Sequence, residues 1–198
     1  MRFGLGSAVV QLKGCEWLSE YTLGNTEHQL LTMKKGGVKA IIMAMKTHES
    51  DPLVQQFGCR VLTNLCVLFE NKVEVVDAGG AEVTVVAMKR HIENSDIQVC
   101  GSLSLMNMMC NEQTEAAVHQ AKGVEAVLAA MCAHPCKARV QRSACWALES
   151  MVWTSCEMQR RFVACGGEHV VRAALVTFPL DAGIQGKGKQ ILESLGLW

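Results

Sequence analysis

The sequence predicts an all-α solenoid of about four repeats of 43–44 residues, with three helices in each. Three observations predict it. First, Gly37, Gly80, Gly123 and Gly167 stand 43, 43 and 44 residues apart, preceded by Gly36, Gly79, Lys122 and Gly166. Second, other rows keep that phase. His48, His91, His134 and Phe178 form one row, and Gln55, Gln98, Gln141 and Gln185 another, each behind Val or Ile. Leu62, Leu105, Leu148 and Leu192 form a further row, as do Asn64, Asn107, Ser150 and Ser194. Third, the apolar residues inside each period follow helical spacing.

The elements of one period follow in order. A short helix, such as Asn71–Ala78 or Glu157–Cys165, ends at the glycine, which tolerates a left-handed cap and a sharp turn. A second helix runs from the glycine to the histidine; in Val38–His48, Val38, Ile41, Ile42 and Met45 share one face. The third is longest, and Asp51-Pro52 supplies an N-cap and a first-turn proline. Val54, Gly58, Val61, Leu62 and Leu65 trace its buried face. The row Gly58, Gly101, Ala144 and Gly188 predicts a close helix crossing, because mid-helix glycine costs roughly 1 kcal/mol against alanine. Val10-Gln11, Gly14-Cys15 and Leu18 repeat the third-helix pattern at the start. The whole of 1–198 thus reads as one array: a partial repeat over 1–36, full repeats over 37–79, 80–122 and 123–166, and a partial repeat over 167–198.

Composition narrows the function. Lys+Arg and Asp+Glu both number 19, which argues against a nucleic-acid or membrane-surface binder. No apolar run reaches the roughly 18–20 residues of a membrane span. Met1–Val10 lacks the apolar core of a secretory leader. The ten cysteines fall in apolar helical stretches, as at Cys59, Cys100, Cys110 and Cys145, and read as small buried hydrophobes of a reducing compartment. A cytoplasmic location is expected, with a cytoskeletal or ciliary assembly as a variant of it.

The third-helix segments VQQFGCRVLTNL, IQVCGSLSLMNM and VQRSACWALESM resemble the Gln-x₃-Ala-x₃-Leu-x-Asn-Leu pattern of armadillo repeats, and the resemblance runs from about Val9 to Leu197. It implies a right-handed armadillo-type superhelix. The Ala-Met-x₂-His of the second helix and the Gly-Cys of the third resemble arrays in protist armadillo proteins and leucine-rich-repeat kinases. Armadillo proteins hold an extended partner segment along a concave groove of third helices. Asparagine grips the peptide backbone there, since its amide both donates and accepts. Asn64 and Asn107 match that position; Ser150 and Ser194 do not. Trp146 alone matches the tryptophan position of nuclear-import receptors, which Arg60, Leu103 and Gln190 fill in the other copies. An import receptor is therefore not expected. Lys137, Arg139, Arg142, Lys187 and Lys189 would favour an acidic peptide, unless they form a solvated face. The expected groove is Asn64, Asn107, Trp146, Arg60, Ser150 and Arg142, with intrastack bonding the alternative for the asparagines and core packing that for Trp146. Replacing Asn64 and Asn107 by alanine is expected to weaken a bound peptide without unfolding the array. The chain starts and ends on third helices, and ILESLGLW is apolar where solenoids carry polar caps. This supports an alternative: a structural element of a larger assembly, or a piece of a longer array, contacting partners through its ends.

Three motifs imitate chemistry. The histidine row suits helix C-termini. Cys132, His134 and Cys136 lack zinc spacing and an evident fourth ligand. Gly183–Gln190, GIQGKGKQ, has glutamine where a phosphate-binding loop needs Ser or Thr, and its Gln185 and Gly188 sit in repeat rows. No catalytic residue, metal, cofactor, small-molecule substrate, nucleic acid or membrane is expected; the partner is another protein or peptide.

Overall fold

A computed structural model describes residues 6–198, and every regular element among them is an α-helix, thirteen in all. Helix α1 (Ala8–Tyr21) is a third helix standing alone. Four three-helix units follow. They are α2 (Thr26–Lys34), α3 (Gly37–Thr47) and α4 (Pro52–Leu65); α5 (Phe69–Asp77), α6 (Gly80–Arg90) and α7 (Ser95–Met108); α8 (Glu112–Gln120), α9 (Gly123–Ala133) and α10 (Ala138–Thr154); and α11 (Cys156–Ala164), α12 (Gly167–Thr177) and α13 (Ala182–Ser194). A cut at the short helix therefore yields four complete units, where a cut at the glycine leaves both ends partial.

The turn between short and second helix divides its two requirements between two residues. The left-handed conformation falls on Gly36, Gly79, Lys122 and Gly166, one place before the periodic glycine. The periodic glycines open the second helices and are needed for space. A Cβ on Gly80 would lie 2.7 Å from the Val75 carbonyl oxygen, and one on Gly167 would strike the Phe162 ring at 2.4 Å.

The mid-helix row crosses as its residues predict. A Cβ on Gly58 would lie 2.6 Å from Met45 Cγ, and one on Gly101 would lie 2.5 Å from Met88 Cγ. Each glycine thus admits the methionine of its own second helix, and the packing offsets the glycine's helical cost.

Each glutamine of the Gln55 row ties its third helix to the second. Gln55 Nε2 donates to the Met45 and His48 carbonyls at 3.0 and 2.9 Å, and Gln98 to Met88 and His91 at 2.9 Å each. Gln141 and Gln185 repeat the pair on Met131 and His134, and on Leu175 and Phe178. Carbonyls in a helix's last turn have no intrahelical partner, so each amide satisfies groups the fold would otherwise strand.

Repeats then stack third helix on third helix, from α1 through α4, α7 and α10 to α13. One apolar core runs through the stack from Met33 to Leu192, with Leu62, Leu105, Leu148 and Leu192 all fully buried. A small separate cluster of Cys15, Ala44 and Val54 seats α1.

Candidate partner-binding face

All six expected groove residues lie on third helices: Arg60 and Asn64 on α4, Asn107 on α7, and Arg142, Trp146 and Ser150 on α10. Arg60 and Asn64 are four residues apart, as are Arg142, Trp146 and Ser150 in turn, so each set follows one helical stripe.

The asparagine amides are engaged inside the stack. Asn64 Nδ2 donates to the Ser19 carbonyl at 2.9 Å and to Thr22 Oγ1 at 3.1 Å. Asn107 Nδ2 donates to the Thr63 carbonyl at 3.2 Å. Both side chains are half-buried. Each bond joins a third helix to the one before it. These bonds are the intrastack alternative named for the two asparagines, so replacing them by alanine carries a structural cost beside any effect on a bound peptide. Ser150 is too short for the same reach, and its row carries no such bond at α10.

Trp146 is 42% exposed. Together with Arg142, Arg139 and Ser143 of α10 and Val99 and Leu103 of α7 it lines a cleft of about 160 Å³. Arg60 lies over the Phe57 ring at 5.9 Å.

Arg139, Arg142, Lys187 and Lys189 have partners of their own. Arg142 bonds Asp181 at 2.5 Å, Arg139 reaches Asp96 at 3.2 Å and Lys187 reaches Glu149 at 3.3 Å. Lys189 Nζ sits 5.5 Å from the centre of the Trp198 ring. The three ion pairs tie neighbouring third-helix segments to each other, and they spend charge that an acidic ligand would need. The Arg142 guanidinium and the N-cap hydrogen bonds of α13 hold the Asp181 carboxyl below its ordinary pKa.

A second cleft on this face escaped the sequence reading. Glu149, Ser150, Trp153 and Thr154 of α10 and Gln190, Glu193 and Ser194 of α13 enclose about 520 Å³. Trp153 is 76% exposed. It exists as a helical residue because α10 has 17 residues against 14 in α4 and α7. The matching residues Val67 and Cys110 fall in loops, beyond the ends of α4 and α7. The sequence carries no signal for the extension, because Leu65–Val67 and Met108–Cys110 are as free of glycine, proline and capping residues as Met151–Trp153, yet α4 and α7 end there.

The imitated motifs resolve into structure. His91 Nε2 bonds the Glu49 carbonyl and His134 Nε2 the Ile92 carbonyl, each at 2.7 Å. The row thus stitches successive repeats, beyond any role at the helix terminus. Among the described residues no three His, Cys, Asp or Glu side chains gather as a metal site. Cys132 and Cys136 are exposed while His134 is buried. Residues 183–190 lie wholly within α13, and the first-turn N–H groups of Gly183 and Ile184 donate to the Asp181 carboxylate that caps the helix. Cys59 and Cys145 are buried, whereas Cys100 and Cys110 are only half-buried. Burial pushes the Cys145 thiol up to about 12 and that of Cys100 to about 11.

Comparison with solved structures agrees with the stack. A designed armadillo repeat protein superposes with a TM-score of 0.66 at 12% identity, covering 95% of this chain and 98% of its own. An engineered protein solved by a structural genomics consortium covers 96% of this chain and 92% of its own, with a TM-score of 0.57 and 20% identity. Another covers 94% and 54%, with a TM-score of 0.54 and 22% identity. The fold is an armadillo-like helical repeat array. No protein-family model matches the sequence, and a search of curated proteins returned no match.

Proposed function

We propose that the chain is a non-catalytic protein-interaction module that holds an extended segment of a partner along its third-helix face. The observation that carries this is the pair of clefts lined only by third-helix residues, each with an exposed tryptophan: Trp146 between α7 and α10, and Trp153 between α10 and α13. Large aromatics exposed beside a recess are the commonest anchors of protein recognition. Internal pairing of Arg139, Arg142 and Lys187 removes the main support for an acidic ligand. A cytoplasmic setting fits the ten thiols, none of them in a disulfide.

Selection of binders from a displayed random peptide library tests the reading. Trp146→Ala should weaken selected peptides about tenfold or more, a loss of about 1.4 kcal/mol. Val176→Ala on the second-helix side, 80% exposed, should leave them unchanged. Peptides sensitive to the Val176 change and indifferent to Trp146 would sink it.

A second reading, contact through the ends, draws on α1. Val10 and Trp17 occupy rows that are buried in α4 as Val54 and Val61, yet both are exposed. Concentration-dependent association in sedimentation, abolished by Trp17→Glu, would favour that reading.

A further inference from the structure

We propose that the cleft between the C-terminal halves of α10 and α13 is a subsite for a lysine or arginine side chain carried by the partner segment. This inference rests on the third-helix reading above and gives it a chemistry.

The cleft exists for a reason visible in the repeat rows. Asn64 and Asn107 reach back to the preceding third helix, at Ser19 and Thr63. The same reach from position 194 would end near Glu149 and Ser150, but Ser194 is too short and its hydroxyl donates to the Ile191 carbonyl of its own helix. A space that an asparagine fills elsewhere is left open here. The extra turn of α10 then brings Trp153 to its edge.

The walls match one kind of ligand. Glu149 and Glu193 are the charged residues lining the cleft. Glu149 shares its charge with Lys187 at 3.3 Å, and Lys187 also donates to Gln190 Oε1 at 3.1 Å. Glu193 forms no ion pair among the described residues. A tryptophan face attracts a cation through its quadrupole, and a nearby carboxylate adds direct attraction. An acidic side chain or a phosphate would meet Glu193 and be repelled. A neutral apolar side chain would use the ring but would desolvate the carboxylate without return. Position 153 is also distinct from the tryptophan position that Trp146 occupies, seven residues earlier on α10.

The test follows the indole N–H signals of the full chain by NMR. Trp153 is assigned with Trp153→Phe, and the remaining signals report that the fold is kept. The probes are short glycine–serine peptides with a single central arginine, lysine, citrulline or glutamate. The arginine and lysine peptides should shift the Trp153 signal saturably. Citrulline, equal in shape but uncharged, should bind about fivefold or more weakly, and Glu193→Gln should weaken the arginine peptide by a similar factor. Equal response to citrulline or glutamate, or indifference to Glu193→Gln, overturns the inference. So does a stronger response to a single-stranded oligonucleotide. Shifts at Trp146 with none at Trp153 overturn the subsite and leave the third-helix reading intact. Silence at Trp153 also overturns it, and the Trp146→Ala selection then decides the wider reading independently.

Discussion

Two lysines in the third unit break rules that the other units keep. Lys122 holds the left-handed turn at φ 68° that Gly36, Gly79 and Gly166 hold elsewhere, where a Cβ crowds the backbone. Lys137 stands where Asp51, Asn94 and Asp181 cap the third helix, and no side chain caps α10. A cation at a helix N-terminus also opposes the macrodipole. Lys122→Gly should therefore stabilise the protein by about 1 kcal/mol, and Lys137→Asp by about 1 kcal/mol. Chemical denaturation would show each as a higher midpoint at unchanged slope, and a fall in the midpoint would refute the cause assigned. Gly101→Ala should behave oppositely. Overpacking against Met88 costs about 1–3 kcal/mol, which outweighs the gain in helix propensity. The repeat register made these positions visible in the sequence, since a row compares each residue with its own copies. It did not separate the residue needing a left-handed backbone from the one needing space, because both are glycine in three copies of four.

At the scale of the element, the side chains that look most like ligands of a partner are ligands of the stack. Gln98 satisfies two carbonyls at the end of α6, so Gln98→Ala should cost about 2–3 kcal/mol by leaving buried acceptors stranded. Asn64→Ala should cost about 1–2 kcal/mol, because the Ser19 carbonyl and Thr22 hydroxyl lose their donor. Thermal melts would check both, and peptide binding by Asn64→Ala must be read at a temperature where the array stays folded. The sequence placed Asn64 and Asn107 on the correct helices and face. It could not say where their amides point, since that depends on a neighbour some 42–45 residues away. Asp181 adds a pH dependence. Its folded pKa lies below the ordinary 3.8, so its contribution is present above that value and is lost as pH falls through the folded pKa. Asp181→Asn should flatten the corresponding part of the acid limb of the melting profile, and an unchanged limb would place that loss elsewhere.

For the whole molecule, a stack in which each unit touches mainly its neighbours need not open all at once. The stitching is also uneven. Histidine joins the second-helix ends at His91 and His134, but Phe178 occupies that row in the last unit and has no ring nitrogen to offer. At the other end, Val10 and Trp17 of α1 are exposed where Val54 and Val61 of α4 are buried, and Cys15 sits in the small cluster with Ala44 and Val54. The cysteines report such opening directly. Cys15, Cys59, Cys66 and Cys145 are fully buried, and that burial raises all four thiols, so labelling of any of them is expected only on opening. The exposed Cys132, Cys136, Cys156 and Cys165 should alkylate within the first phase at pH 8. Among the buried four, Cys15 should label next, well ahead of Cys59 and Cys145, because freeing it requires only α1 to detach. Timed alkylation with mass spectrometry gives the order. Simultaneous labelling of all four would mean that the Asn64 bonds to Ser19 and Thr22 bind α1 into one cooperative unit, and Asn64→Ala should then release Cys15 alone.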